Sequence, residues 1–225
     1  MAGVSEYMLQ GARQSLIAWL RQQGISDENV LRAFNVVERH KFIENTVLWD
    51  RAYENTPLPI GCNQTISQPL TVAFQSQLLQ VKKDDKILEI GTGSGFQAAI
   101  LAALGAQVYT IERQLELYRK ARILLNNTFN INSVHISYGD GFEGKPDKAP
   151  FDKIIVTCGA PHVPQKLLDQ LKTGGFIVIP VGDGVQQMKR ITKISATEYQ
   201  EEDYGEFKFV PMLSSTVKIN NNNFF

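Results

Sequence analysis

The sequence predicts an α/β fold: a doubly wound, mostly parallel sheet of seven strands, with helices on both faces and a helical appendage before it. Three observations carry this reading. Lys86-Ile87-Leu88-Glu89-Ile90 is an apolar run that breaks at Gly91, Gly93 and Gly95 and resumes as the helix former Gln97–Leu104. Strand, glycine turn and helix make the first unit of a nucleotide-binding sheet, and glycine is needed where the turn is tight and a ligand approaches the backbone. Strand-length and helix-length segments then alternate along the chain. Finally, the next strand ends on an acid, Glu112, 21 residues after Gly91, where a carboxylate can accept both hydroxyls of a ribose.

The elements follow in order. Residues 5–23 place Leu9, Leu16, Trp19 and Leu20 among polar residues, an amphipathic helix that Gly24 ends. Ser26-Asp27 caps a second helix with Val30, Leu31, Phe34 and Val37 as its stripe. Residues 49–69, with prolines, a glycine and small polar residues, read as a loop. Pro69 suits a first helical turn, with Ser67 or Gln68 as cap, and Leu70, Ala73, Phe74 and Leu78 continue at helical spacing. Beyond the glycine unit, Ala106–Ile111 is the second strand, Leu115–Leu125 a helix and Ser133–Tyr138 the third strand, running into Gly139-Asp140-Gly141. Phe151–Thr157 is the fourth strand, Val163–Leu171 a helix ended by Gly174-Gly175, and Phe176–Val181 the fifth strand. Gln187–Ala196 and Phe207–Val210 complete the sheet.

Composition narrows the function classes. A hydrophobic fraction of 43% is globular. No apolar run approaches the ~20 residues of a membrane span, and the N-terminus has no basic region followed by an apolar core. A net charge of zero argues against a surface built for nucleic-acid phosphates. The two cysteines, Cys62 and Cys158, have neither metal-ligand spacing nor a disulfide pattern. No metal is expected, and the setting they suggest is the reducing cytoplasm.

The glycine turn admits two ligands. A dinucleotide turn reads G-x-G-x-x-G, but here Phe96 holds the place of the third fingerprint glycine. Glu89-Ile90-Gly91-Thr92-Gly93-Ser94-Gly95 resembles instead the E/D-x-G-x-G-x-G turn of class I methyltransferases, which bind S-adenosylmethionine. Glu112 supports an adenosine in either case. Asp140 at the end of the third strand can accept an adenine amino group, with Gly141 letting the backbone approach the ring. The Asn/Asp-Pro-Pro-Tyr/Phe segment of base-amine methyltransferases is absent after the fourth strand, where the chain reads Cys158-Gly159-Ala160-Pro161.

A more specific resemblance begins at Leu58-Pro59-Ile60-Gly61 and Gln64-Thr65-Ile66-Ser67-x-Pro69. Together with Leu88–Gly95, Tyr109–Arg113, Gly139–Gly141, Pro150–Asp152, Pro180–Gly182 and Phe209–Pro211, it is similar to the protein-L-isoaspartate O-methyltransferase family over residues 5–215. Asn63 departs from the family's usual glycine, and asparagine tolerates the left-handed backbone best. The resemblance implies a repair enzyme that methylates the free α-carboxylate of L-isoaspartyl residues in damaged proteins and peptides. The ester then cyclises unaided to a succinimide, whose hydrolysis returns some aspartate. The implied cofactor, S-adenosylmethionine, falls to Glu89, Gly91, Thr92, Gly93, Ser94, Gly95, Glu112, Asp140 and Gly141. The implied substrate residues are Thr65, Ile66, Ser67, Val210 and Pro211. The chain would divide into N-terminal helices and substrate loop (1–68), the cofactor domain (69–217) and a flexible tail (218–225), acting as a monomer without nucleic acid or membrane.

An acceptor carboxylate with a pKa near ~4 is already ionised at neutral pH, so no strong base is required. The task is to strip its water and hold one oxygen in line with the sulfonium methyl, roughly 3 Å away. A hydroxyl can fix the other oxygen without a lysine's charge, which would over-stabilise the ground state. Ser67 is the family match for that role, and a helix cap is the competing role for the same side chain. His162 reads as a plain loop histidine. Other acceptors, a nicotinamide dehydrogenase and a silent adenosine-binding module stay open at this point.

Overall fold

Two helices come first in the computed structural model, which describes residues 5–218. α1 (Glu6–Gln22) is capped by the Ser5 hydroxyl, which accepts from the Met8 N–H, and buries Leu9, Leu16 and Leu20. α2 (Glu28–Val36) starts at Asp27, whose carboxylate accepts from the N–H groups of Asn29 and Val30. Gly24 makes the bend between them at φ 91°.

Turns at Arg39–Phe42 and Thr46–Arg51 lead into an antiparallel hairpin of β1 (Leu58–Gly61) and β2 (Gln64–Ile66). This corrects the loop read from the sequence. Three successive residues, Gly61, Cys62 and Asn63, hold the left-handed backbone that closes it, at φ 92°, 52° and 55°. Cysteine gives no sequence signal for that conformation. The prolines that read as breakers are tolerated because no third strand pairs with this ribbon. α3 (Pro69–Leu79) follows, with Pro69 in its first turn.

The main sheet comprises β3 (Lys86–Ile90), β4 (Gln107–Glu112), β5 (Val134–Tyr138), β6 (Phe151–Val156), β7 (Leu171–Val181), β8 (Gln186–Lys193) and β9 (Tyr199–Phe207). Their order is β5-β4-β3-β6-β7-β8-β9, parallel from β5 through β7 and antiparallel for β8 and β9. α4 (Phe96–Ala103), α5 (Leu115–Arg122) and α6 (Gln165–Asp169) are the crossovers.

Four boundaries differ from expectation. The helix expected to reach Leu125 leaves α geometry after Arg122 and widens into a π turn, Ile123–Thr128. Pro164 starts α6 late, so it is shorter than the predicted helix. β7 begins before its glycines: Gly175 lies so close to β6 that a Cβ would sit 2.6 Å from the Asp152 carbonyl oxygen, so glycine there marks a close approach rather than a stop. The last strand is Tyr199–Phe207, not Phe207–Val210. Its acids hid it, yet they are what an edge strand carries: Glu201 and Asp203 pair with Lys189, and Glu202 with Arg190.

The period-two alternation of a sheet divides the core between its faces. Ile87, Val108, Ile155 and Val178 point to one side, where α1 to α5 pack. Leu88, Ile90, Ile154, Val156, Ile177 and Ile179 point to the other, where α6 supplies Leu167 and Leu168. Helices therefore cover both faces, unevenly. The expected tail from residue 219 onward lies outside the described residues.

Candidate active site

β3 is the strand where the order reverses. The chain moves outward through β4 and β5, then returns to lay β6 on the other side of β3. A crevice opens beyond the strand ends at such a switch point. Here it is roofed by two segments from outside the parallel sheet: the β1–β2 hairpin, and the extended stretch after β9, which Gly159 anchors through hydrogen bonds with Val210 and Met212.

The glycine turn forms the floor. Gly91 adopts φ 99°, and a Cβ there would sit 2.7 Å from Thr157 Oγ1. That hydroxyl donates to the Gly91 carbonyl at 2.7 Å, which locks β3 to the end of β6. Thr92 is buried and shares a 2.6 Å hydroxyl contact with Thr110. Glu112 then fixes the turn from β4: its carboxylate accepts from the Gly93 N–H at 2.9 Å and the Gln114 N–H at 2.8 Å. Burial pushes the Glu112 carboxyl above the ordinary glutamate range, against those backbone donors.

The mouth has two lobes that share Gln64, Gly91, Glu112 and Cys158. The first is walled by Thr65, Ile66, Ser67, Gly93, Ser94, Phe96 and Val210. The second is walled by Ile90, Ile111, Gly141, Pro211 and Met212. At Gly141 a Cβ would meet Ile90 Cγ2 at 2.4 Å and Met212 Cε at 3.3 Å, so the backbone forms a cradle that any side chain would fill. A buried carboxylate beside an apolar slot with a bare backbone edge fits an adenosine: hydroxyls on Glu112, ring against Ile111 and Met212.

Most residues expected to act are brought together here, and three are not in the wall. Glu89 is fully buried under the turn, with neither oxygen hydrogen-bonded, and burial pushes its pKa up to about 8. β3 turns this side chain into the helix-covered core, so it faces no ligand. Gly95 starts α4 at φ 88° with Leu125 packed against it. Asp140 accepts from the N–H groups of Phe142 and Ser215, at 2.9 and 2.6 Å, and ties the 214–217 segment behind Gly141.

Ser67 settles one of the two roles set out for it. α3 has no side-chain cap from its N-cap residue, Gln68. The first-turn N–H of Leu70 is met instead by Asn55 Oδ1 at 2.9 Å. The Ser67 hydroxyl has no hydrogen-bond partner among the described residues and lies in the wall of the first lobe. It is not a cap.

Gln64, Thr157, Cys158 and Met212 were not foreseen as wall residues. For Thr157 and Cys158 the signal was available, because they end the strand beside the switch point. Burial lifts the Cys158 thiol to about 12, which disfavours its thiolate. His162 is exposed and outside both lobes. One group of metal-ligand type occurs among the described residues, Glu6, Glu38 and His40, away from the mouth. Its Glu38 already pairs with Arg13 and Lys41.

Comparisons with known proteins bear on the family and the fold. Residues 11–217 match the family model described as Protein-L-isoaspartate(D-aspartate) O-methyltransferase (PCMT). A protein-L-isoaspartate O-methyltransferase of Flavobacterium johnsoniae is 53% identical over 204 residues, covering 91% of this chain and 95% of that protein. Its counterpart in Flavobacterium psychrophilum is 51% identical over 204 residues, with the same coverage. A solved protein-L-isoaspartate O-methyltransferase superposes with a TM-score of 0.81 at 26% identity, over 88% of this chain and 65% of that one. A Plasmodium falciparum structure, solved with S-adenosyl-L-homocysteine, shares the fold at TM-score 0.78 and 24% identity, over 89% of this chain and 98% of that one.

Proposed function

The chain belongs to the protein-L-isoaspartate(D-aspartate) O-methyltransferase family, and from that membership we propose that it transfers a methyl group from S-adenosylmethionine to the free α-carboxylate of L-isoaspartyl residues in damaged proteins and peptides. The observation that carries this reading is the two-lobed mouth. One lobe joins a buried carboxylate to a glycine cradle, and the other holds an uncommitted hydroxyl.

When bound, S-adenosylmethionine supplies an electrophilic methyl on a sulfonium. Glu112 would accept from the ribose hydroxyls, Gly91 and Gly93 would present backbone to the methionyl portion, and Ile111, Gly141 and Met212 would enclose the adenine. Asp140 ties the Ser215 backbone to the loop that carries Gly141.

The acceptor is already an anion, and no wall residue has to remove a proton from it. Ile66, Val72, Phe96 and Val210 exclude water from the first lobe, which raises the reactivity of a carboxylate otherwise held by solvent. Ser67 Oγ donates one hydrogen bond to the acceptor and so orients the oxygen that reacts. Thr65 orders the hairpin edge, and Val210-Pro211 offers an extended edge to the substrate peptide.

No helix of the described residues is long and apolar enough to cross a membrane. Two free cysteines support a reducing compartment, which we take to be the cytoplasm. Transfer of labelled methyl to an isoaspartyl peptide, and not to its aspartyl twin, is the expected result. Equal transfer to both peptides, or to neither, overturns the substrate assignment.

A further inference from the structure

Arg39 is among the largest side chains wholly inside the molecule, 1% exposed. Its Nε donates to the Ala52 carbonyl at 2.8 Å, and Nη2 reaches the Thr56 carbonyl at 3.4 Å. Nη1 is buried with no partner. Among the described residues no carboxylate pairs with it, although the side chain is buried. A buried charge without its counter-ion is among the costlier things a fold can hold, and the missing anion asks to be identified. Burial lowers its pKa to about 9, so it is still charged at neutral pH.

The guanidinium lies over the Phe96 ring, 5.3 Å from its centroid. Phe96 walls the lobe that contains Ile66 and Ser67, whereas Arg39 does not reach the mouth itself. We propose that Arg39 is a positioning residue that selects an anionic acceptor: its unpaired charge, one aromatic ring behind the lobe, favours a carboxylate there over a neutral group. This rests on the reading of the first lobe as the acceptor site.

This indirect placement suits the chemistry. Methyl transfer from a sulfonium to a carboxylate neutralises both charges. A cation touching the acceptor would therefore stabilise the reactants more than the transition state. A cation held one ring away still attracts the anion through a low-dielectric path, without binding it directly. It favours entry and leaves the chemical step nearly untouched.

The test is binding rather than turnover. The full chain, saturated with S-adenosylhomocysteine, is titrated calorimetrically with an isoaspartyl peptide and with its α-carboxamide twin. The unaltered protein is expected to prefer the acid by on the order of tenfold. That preference should persist between about 50 and 500 mM salt, because a buried charge is screened little. Arg39→Met should weaken the acid alone and bring the ratio to about twofold or less, whereas Arg39→Lys at mildly acid pH should keep most of it. Equal weakening of both peptides by Arg39→Met overturns the proposal and leaves Arg39 a strut for residues 52–56. A preference that disappears with salt overturns it as well, and that series needs no variant that must fold. An unaltered protein that binds neither peptide overturns the functional reading, and the proposal with it.

Discussion

The two lobes of the mouth are built in opposite ways. The lobe proposed for the cofactor is a product of sheet topology. Gly91, Glu112 and Gly141 follow the C-terminal ends of successive parallel strands, and each is held by backbone bonds or by a glycine that tolerates no Cβ. The lobe proposed for the acceptor is assembled from segments that the sheet does not dictate. Ser67 arrives on a two-stranded hairpin, and Val210 on an extended stretch tied to Gly159. One lobe is fixed by local rules, and the other by contacts between distant parts of the chain. Changes to the first should therefore show as lost cofactor affinity, and changes to the second as lost turnover or a loosened hairpin.

Ser67→Ala should have the largest effect on activity. Turnover is expected to fall on the order of a hundredfold, because a hydroxyl that orients the acceptor is lost. The Kd for S-adenosylhomocysteine and the melting temperature should hold, since Ser67 caps nothing. A matching loss of Tm would move Ser67 from the chemistry to the scaffold.

Glu112→Gln should do the reverse, weakening S-adenosylhomocysteine about tenfold with a smaller effect on bound-state turnover. Burial raises the Glu112 pKa above the ordinary 4.5. In the unaltered protein, affinity should therefore decline on acidification sooner than an ordinary glutamate would allow. Calorimetry across the acid range should find that decline missing in the glutamine variant.

Glu89→Gln probes the buried acid near the end of β3. Burial lifts its pKa to about 8 from 4.5, and the carboxyl has no partner. Between those values the folded chain keeps a proton that the unfolded chain has released. Stability accordingly falls as pH rises through this window and levels off above it. Thermal melts should show the variant gaining on the parent from about pH 5 to pH 8. A constant difference would mean that Glu89 is ionised in the fold.

Asn55→Ala removes the long-range cap on α3 and should cost about 1 kcal/mol in a denaturant melt. His162→Ala should change neither stability nor kinetics measurably, since its exposed ring stands outside both lobes.

The same contrast explains what could be read from the sequence. Gly91 and Glu112 were legible because strand, glycine turn, helix and a strand-ending acid form a local pattern with a physical cause. Asp140 was legible as a strand-ending acid, but nothing in Gly139-Asp140-Gly141 reveals that its carboxylate also ties down Ser215. Ser67 was reached only through resemblance, and its freedom from capping depended on Asn55, a residue without a local signal. The hairpin was hidden by Pro57, Pro59 and Cys62, and β9 by acids whose partners lie on β8. Arg39 sits in a short turn and looks like a surface residue until the fold brings the Phe96 ring against it.

A crystal structure with S-adenosylhomocysteine is the most direct test of the account. The ribose is expected on Glu112, the adenine between Ile111 and Met212 beside Gly141, and the sulfur facing the Ser67 hydroxyl. A nucleoside bound elsewhere, or a sulfur turned away from the hairpin, would contradict it.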